Sequence, residues 1–147
     1  MIGRSDIIKA ARGWIGTPFH HQGRVKGQGC DCIGLVVGVV KELELKNKEQ
    51  DKFLHEFDMA GYPKLPDGKI LKQELSKCLK EENSYDVGDV LLIEFDGMPQ
   101  HVGIVSDYKD GVGIIHCYAQ SKKVIEHSLD DWWKKRVTAS FSFYGLE

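Results

Sequence analysis

Apolar positions in the first third of the chain recur at helical spacing. Ile7, Ile8, Ala11, Trp14 and Ile15 share one face, and Ser5 stands where a helix cap belongs. A second helix, starting at Asp31, carries Ile33, Leu35, Val36, Val39, Val40 and Leu43. It is apolar on most sides, so it should lie in the core. Between the two, "GTPFHHQGRVKGQG" (16–29) has the Gly, Pro and basic residues of a long exposed loop. Residues 45–66 are polar and irregular, and a loop of that length is often a functional surface. Asp67 is placed to cap a third helix bearing Ile70, Leu71, Leu75, Cys78 and Leu79.

After Asn83 the pattern changes. "DVLLIEF" (89–95), "HVGIVSD" (101–107), "VGIIHCYA" (112–119) and "KVIEHSL" (123–129) are short β-rich runs, separated by "DGMPQ", "YKDG" and "QS". A short helix over Asp131–Arg136 and a last strand, "VTASFSFY" (137–144), follow. Helices first and an antiparallel meander of about five strands afterwards give an α+β fold, with residues 1–147 as one domain. No internal repeat or linker interrupts it.

Composition narrows the function classes. A net charge of −2 supplies no global basic field for nucleic acid or anionic lipid. The run "WWKKR" (132–136) reads as a packed Trp pair beside a solvated charged face. No apolar stretch approaches the ~20 residues of a membrane span, and the N-terminus lacks the apolar core of a signal peptide. The expectation is a chain made in the cytoplasm, whose four cysteines are reduced thiols.

The chemistry concentrates in "GCDCIGLV" (29–36). Asp31 occupies the N-cap position and Cys32 the first helical one, facing unpaired N–H groups and the positive end of the helix dipole. That setting favours thiolate and predicts a lowered pKa. Asp31 opposes it only if its charge points at the sulfur, and a capping carboxylate is turned toward the N–H groups. Gly34 allows close approach to the helix. The plainer alternative is that Cys32 is a small buried hydrophobe.

Two histidines offer a base. If the runs at 101–107 and 112–119 form a hairpin pairing residue 107 with 112, His101 faces Tyr118 and residue 103 faces His116. Both histidines then lie on one side of the sheet. That result survives a two-residue slip but not a one-residue slip. One imidazole then acts as base to the thiol while the second orients it. Zinc on Cys30, Cys32, His101 and His116 is the competing use, but the spacing does not match paired C-x-x-C sites. Cys30 reads instead as a loop thiol near the site, and Cys78 and Cys117 read as core. His55 and His127 have no evident partner, and His21 fits substrate contact or plain exposure equally.

The elements "ARGWIGTPFHHQG" (11–23), "GCDCIGLV", "VGDVLLIE" (87–94), "HVGIV" (101–105), "GIIHCYA" (113–119) and "VIEHSLDDWWKKRVTASFSF" (124–143), in that order, carry a resemblance over nearly the whole chain. The sequence resembles the NlpC/P60 family of cell-wall cysteine peptidases, papain-like in fold, and especially its short phage and prophage-encoded form. The resemblance implies Cys32 as nucleophile, His101 as general base and acid, and His116 as the residue orienting it. It implies cleavage of γ-D-glutamyl bonds to a diamino acid in peptidoglycan stem peptides, with no metal or other cofactor. The backbone N–H of Cys32 would serve the oxyanion. One departure stands out. The family usually has tyrosine in its "GTPY" element, where this chain has Phe19, with His20 next to it as a substitute donor. Arg24 and Lys26 are candidates to meet stem-peptide carboxylates, and Tyr62 to wall the groove. The expected partners are peptidoglycan and phage tail proteins, with action in the periplasm or cell wall. Two alternatives remain: a non-catalytic structural or binding component motivated by Phe19, and thiol amidase or acyltransferase chemistry on another substrate.

Overall fold

The computed structural model describes residues 1–46 and 68–146. Helix α1 (Arg4–Arg12) buries Ile7, Ile8, Ala10 and Ala11. It starts one residue before the expected cap. Gly3 is the N-cap, its N–H donating to the Asp6 carboxylate at 2.9 Å, so Ser5 lies inside the first turn. Ile15 is also off the predicted face and is 46% exposed, because the helix ends at Arg12 and a turn follows. Trp14 stays in the core, seated over Gly38 of helix α2 (Cys32–Leu43), where any Cβ would collide with the indole. Every residue of α2 from Cys32 to Val40 is buried, as its all-round apolar pattern predicts. Helix α3 (Gly68–Cys78) buries Leu71, Leu75 and Cys78 but leaves Ile70 half exposed. Asp67, Tyr62, His55 and nearly all of the 45–66 loop lie outside the described residues.

The loop before α2 is more ordered than its composition suggests. It holds a small hairpin, β1 (Arg24–Val25) with β2 (Gly29–Cys30), and Phe19 forms a bridge to Cys30. Cys30 is therefore a fully buried strand residue rather than a loop thiol.

The main sheet has six strands: β3 (Lys80–Glu82), β4 (Val90–Phe95), β5 (Met98–Tyr108), β6 (Gly111–His116), β7 (Ile125–Ser128) and β8 (Val137–Ser142). Their order is β3-β8-β4-β5-β6-β7, every pair antiparallel. The meander thus covers only β4 to β7. After α4 (Asp131–Lys134) the chain returns to lay β8 beside β4, and β3 makes the sixth strand. "KEE" has no apolar alternation, which is why the pattern did not reveal β3. The segment expected as the loop "DGMPQ" turns tightly at Asp96 and Gly97, both at positive φ, so β5 begins already at Met98.

The β5–β6 register is the predicted one, Asp107 opposite Val112 through Ile104 opposite Ile115. Alternation then sorts the sheet into two faces. Val90, Leu92, Val102, Ile104, Ile115 and Phe141 join α1 and α2 in the main core. Leu91, Ile93, Val105 and Ile114 pack on the other side with Leu129 and Trp133. By the same alternation His101 and His116 belong to this second face.

Candidate active site

Asp31 ties the helix start to the loop before it. Its carboxylate accepts from the Gly34 N–H of α2 at 2.8 Å and from the Gln22 N–H at 2.9 Å, and it pairs with Arg24 at 3.1 Å. Gly34 is required here because a Cβ would strike the Gly23 carbonyl oxygen. The expected close approach to α2 is thus made by the chain's own loop. Arg24 is a buttress of the cap rather than an outward-facing cation, and Lys26 pairs with Glu42 at 3.1 Å.

Cys32 is a buried free thiol. The backbone N–H groups of Ile33 and of Val102, the residue after His101, point at its sulfur. They do not win. Burial, and after it the charge of Asp31, push the thiol up to about 12 against those N–H groups and Arg24. The sequence predicts the opposite direction from the helix dipole. The dipole acts, but desolvation of a thiolate in this core outweighs it.

His101 and His116 meet as the register requires, Nε2 of His101 lying 2.7 Å from Nδ1 of His116. Burial lowers His101 to about 3 and takes His116 well below the ordinary imidazole range, with the neighbouring histidines adding to the latter. Both rings rest neutral near pH 7. Aromatic side chains hold them: Phe95 stacks on His101 at 5.5 Å, Tyr118 on His116 at 5.1 Å, and Trp133 meets His116 edge-on at 4.8 Å.

The third imidazole has no counterpart in the sequence reading. His127, read there as lacking a partner, places Nε2 2.8 Å from Nε2 of His116, and its Nδ1 lies 2.8 Å from the Ser128 carbonyl oxygen. The signal was present. β7 pairs Ile114 with His127, which puts residue 127 on the same face as 114 and 116. Only the β6–β7 register was missing.

Beside His101 a cavity of about 430 Å³ is lined by Phe95, Gln100, Tyr118, Trp132 and Arg136 among others. The Arg136 guanidinium lies 3.5 Å above the Trp132 ring, and Trp132 is 46% exposed. The run "WWKKR" thus divides between a buried Trp133 and a cavity wall. Phe19 is half buried against the core, its N–H bonded to the Lys122 carbonyl at 2.8 Å. The exposed ring of His20 is tied by Nδ1 to the His21 carbonyl at 3.0 Å, within its own loop. Cys117 donates its S–H to the Cys30 carbonyl at 3.3 Å, away from the imidazoles, as predicted for a core thiol. Among the described residues no group of three or more His, Cys, Asp or Glu is arranged to hold a metal ion.

The profile of the NlpC/P60 family matches residues 16–142. Among solved structures the chain is similar to the NlpC/p60 domain of the peptidoglycan hydrolase SagA, with a TM-score of 0.59 and 19% identity over 96% of this chain and 99% of that one. It is also similar to a protein of Staphylococcus aureus subsp. aureus Mu50 described as similar to a lipoprotein of the NLP/P60 family. That TM-score is 0.59 and the identity 15%, over 95% of this chain and 40% of the other. No curated protein matches the sequence. The α+β architecture and antiparallel sheet are those of the solved relatives.

Proposed function

The chain belongs to the NlpC/P60 family, and from that premise we propose that it is a cysteine peptidase that hydrolyses peptidoglycan stem peptides at the bond between a γ-D-glutamyl residue and a diamino acid. One observation carries the reading: the reduced thiol at the capped start of α2 receives the N–H of Val102, the residue that follows His101, whose ring lies 2.7 Å from that of His116. In this reading Cys32 is the nucleophile, His101 the base and acid, and His116 the residue that orients it.

The chemistry follows from the neutral resting pair. As Cys32 sulfur bonds to the scissile carbonyl carbon, its proton passes to His101 and the carbonyl oxygen becomes an oxyanion beside the Cys32 N–H at the α2 start. Collapse of that intermediate breaks the C–N bond, and the His101 proton leaves on the diamino-acid amine. Water then attacks the thioester, gives a proton to His101, and releases the carboxylate and the thiol. The cavity beside His101 receives the stem peptide, where Arg136 meets a carboxylate. The resemblance to phage and prophage-encoded forms supports action from a phage tail, outside the cytoplasm where the chain is made.

The test is digestion of purified muropeptides followed by mass spectrometry. Products cut after γ-D-glutamate, absent with Cys32→Ala, are expected. Intact muropeptides with wild-type protein, alongside normal folding of both, would overturn the hydrolase reading in favour of a binding component.

A further inference from the structure

The Ser128 carbonyl oxygen can only accept a hydrogen bond, and that single fact propagates through three rings. His127 must donate to it from Nδ1. In a neutral His127 the Nε2 atom then carries the lone pair, so the 2.8 Å contact is filled by an Nε2–H of His116. A neutral His116 in that form has its lone pair on Nδ1, and the 2.7 Å contact is filled by an Nε2–H of His101. His101 is left with an unprotonated Nδ1. Burial keeps His101 and His116 neutral.

Resting on Cys32 and His101 as the reacting pair, we infer that His127 is a positioning residue that sets the tautomer of the base: it fixes the lone pair of His101 on Nδ1, the nitrogen that takes the thiol proton. The reversed file is equally well bonded between His101 and His116. Without an acceptor at 127, His116 turns to its Nδ1–H form, donates to His101 Nε2, and places a proton where the lone pair is needed. His127 is half buried on β7, with its ring 5.4 Å from that of Trp133.

Long-range 1H–15N spectra of the imidazoles, recorded on the intact chain at pH 8 without substrate, read each tautomer directly. Wild type should show His127 as Nδ1–H, and both His116 and His101 as Nε2–H. His127→Phe keeps the aromatic contact with Trp133 and removes the acceptor. There His116 and His101 should change to Nδ1–H, with kcat falling about 10²-fold or more and KM little altered. His127→Gln, whose amide oxygen accepts from His116, should keep the wild-type tautomers and recover most of kcat. A wild-type His101 in the Nδ1–H form overturns the inference, as do unchanged tautomers in a folded His127→Phe. If that variant does not fold, the wild-type spectrum and His127→Gln decide. The two readings fail separately. The expected tautomers in a chain inert on muropeptides sink the hydrolase reading alone, and reversed tautomers in an active chain sink only this one.

Discussion

Lowering the pH should destabilise this protein through His101, and the effect can be isolated. Burial holds its folded-state value at about 3, against an ordinary 6.5. Between those values the unfolded chain binds a proton that the folded protein refuses. Stability is therefore full above about 6.5 and is lost as pH falls through the window toward 3. Each pH unit inside the window costs about 1.4 kcal/mol. At pH 5 the cost is about 2 kcal/mol, a shift of roughly 1 M in a urea midpoint for a protein of this size. The partner variant is His101→Gln, which does not titrate and whose amide N–H still donates to His116 Nδ1. The other histidines are present in both proteins, and His116, which His101 helps to lower, keeps burial as its first cause in the variant. Urea unfolding of both at pH 7.5 and pH 5 is the assay, and wild type should lose about 2 kcal/mol more than the variant. A difference between the two that does not change with pH would refute the reasoning. It would mean that His101 titrates in the folded protein as it does in water, and that its aromatic enclosure does not desolvate it.

Further predictions concern the thiol and the cavity. Because burial and Asp31 hold Cys32 high, its iodoacetamide labelling should be slow at pH 5 to 6 and still rising above pH 9; complete labelling already at pH 5 to 6 would show a preformed thiolate. Asp31→Asn removes the charge that opposes the thiolate, so Cys32 should label faster at a given pH. The same change disturbs the bond to the Gln22 N–H and should cost about 1–3 kcal/mol in urea unfolding. Arg136→Ala should raise KM for stem peptides about tenfold or more with a smaller loss in kcat, and Arg136→Lys should recover part of it. An equal loss in both variants confined to kcat would remove Arg136 from substrate binding.

The parts of the site that sequence revealed are those set by local geometry. The capped start of α2 follows from an aspartate ahead of an apolar run, and the shared face of His101 and His116 from one hairpin register. The misses are long-range. β8 beside β4 is a return of the chain across the sheet, which no local pattern encodes. His127 needed the β6–β7 register, and Arg24 turned inward because the loop before α2 folds back on Asp31. Phe19 is legible as a departure from the family tyrosine, and its half-buried packing against the core follows only from the bridge it makes to Cys30.

The reversed direction at Cys32 changes what the helix end is for. A resting thiolate would draw on the α2 dipole before substrate arrives; a neutral thiol does not. In the proposed mechanism the neutral pair makes no net charge, because the sulfur's proton moves to His101 as the sulfur attacks. The only new negative charge is then on the carbonyl oxygen, with its positive counterpart on an imidazole held by His116 and His127. At the start of α2 the Gly34 N–H is taken by Asp31 and the Ile33 N–H points at the sulfur, so the Cys32 N–H is the donor the proposed mechanism assigns to that oxygen. Asp31, whose charge works against a thiolate, also fixes the helix start that presents the Cys32 N–H, through its bond to Gly34. A residue that harms the resting nucleophile and supports the oxyanion site suits a mechanism in which the helix end acts on the transition state rather than on the free thiol. Asp31→Asn separates the two roles: labelling of the free thiol should speed up while peptide hydrolysis does not.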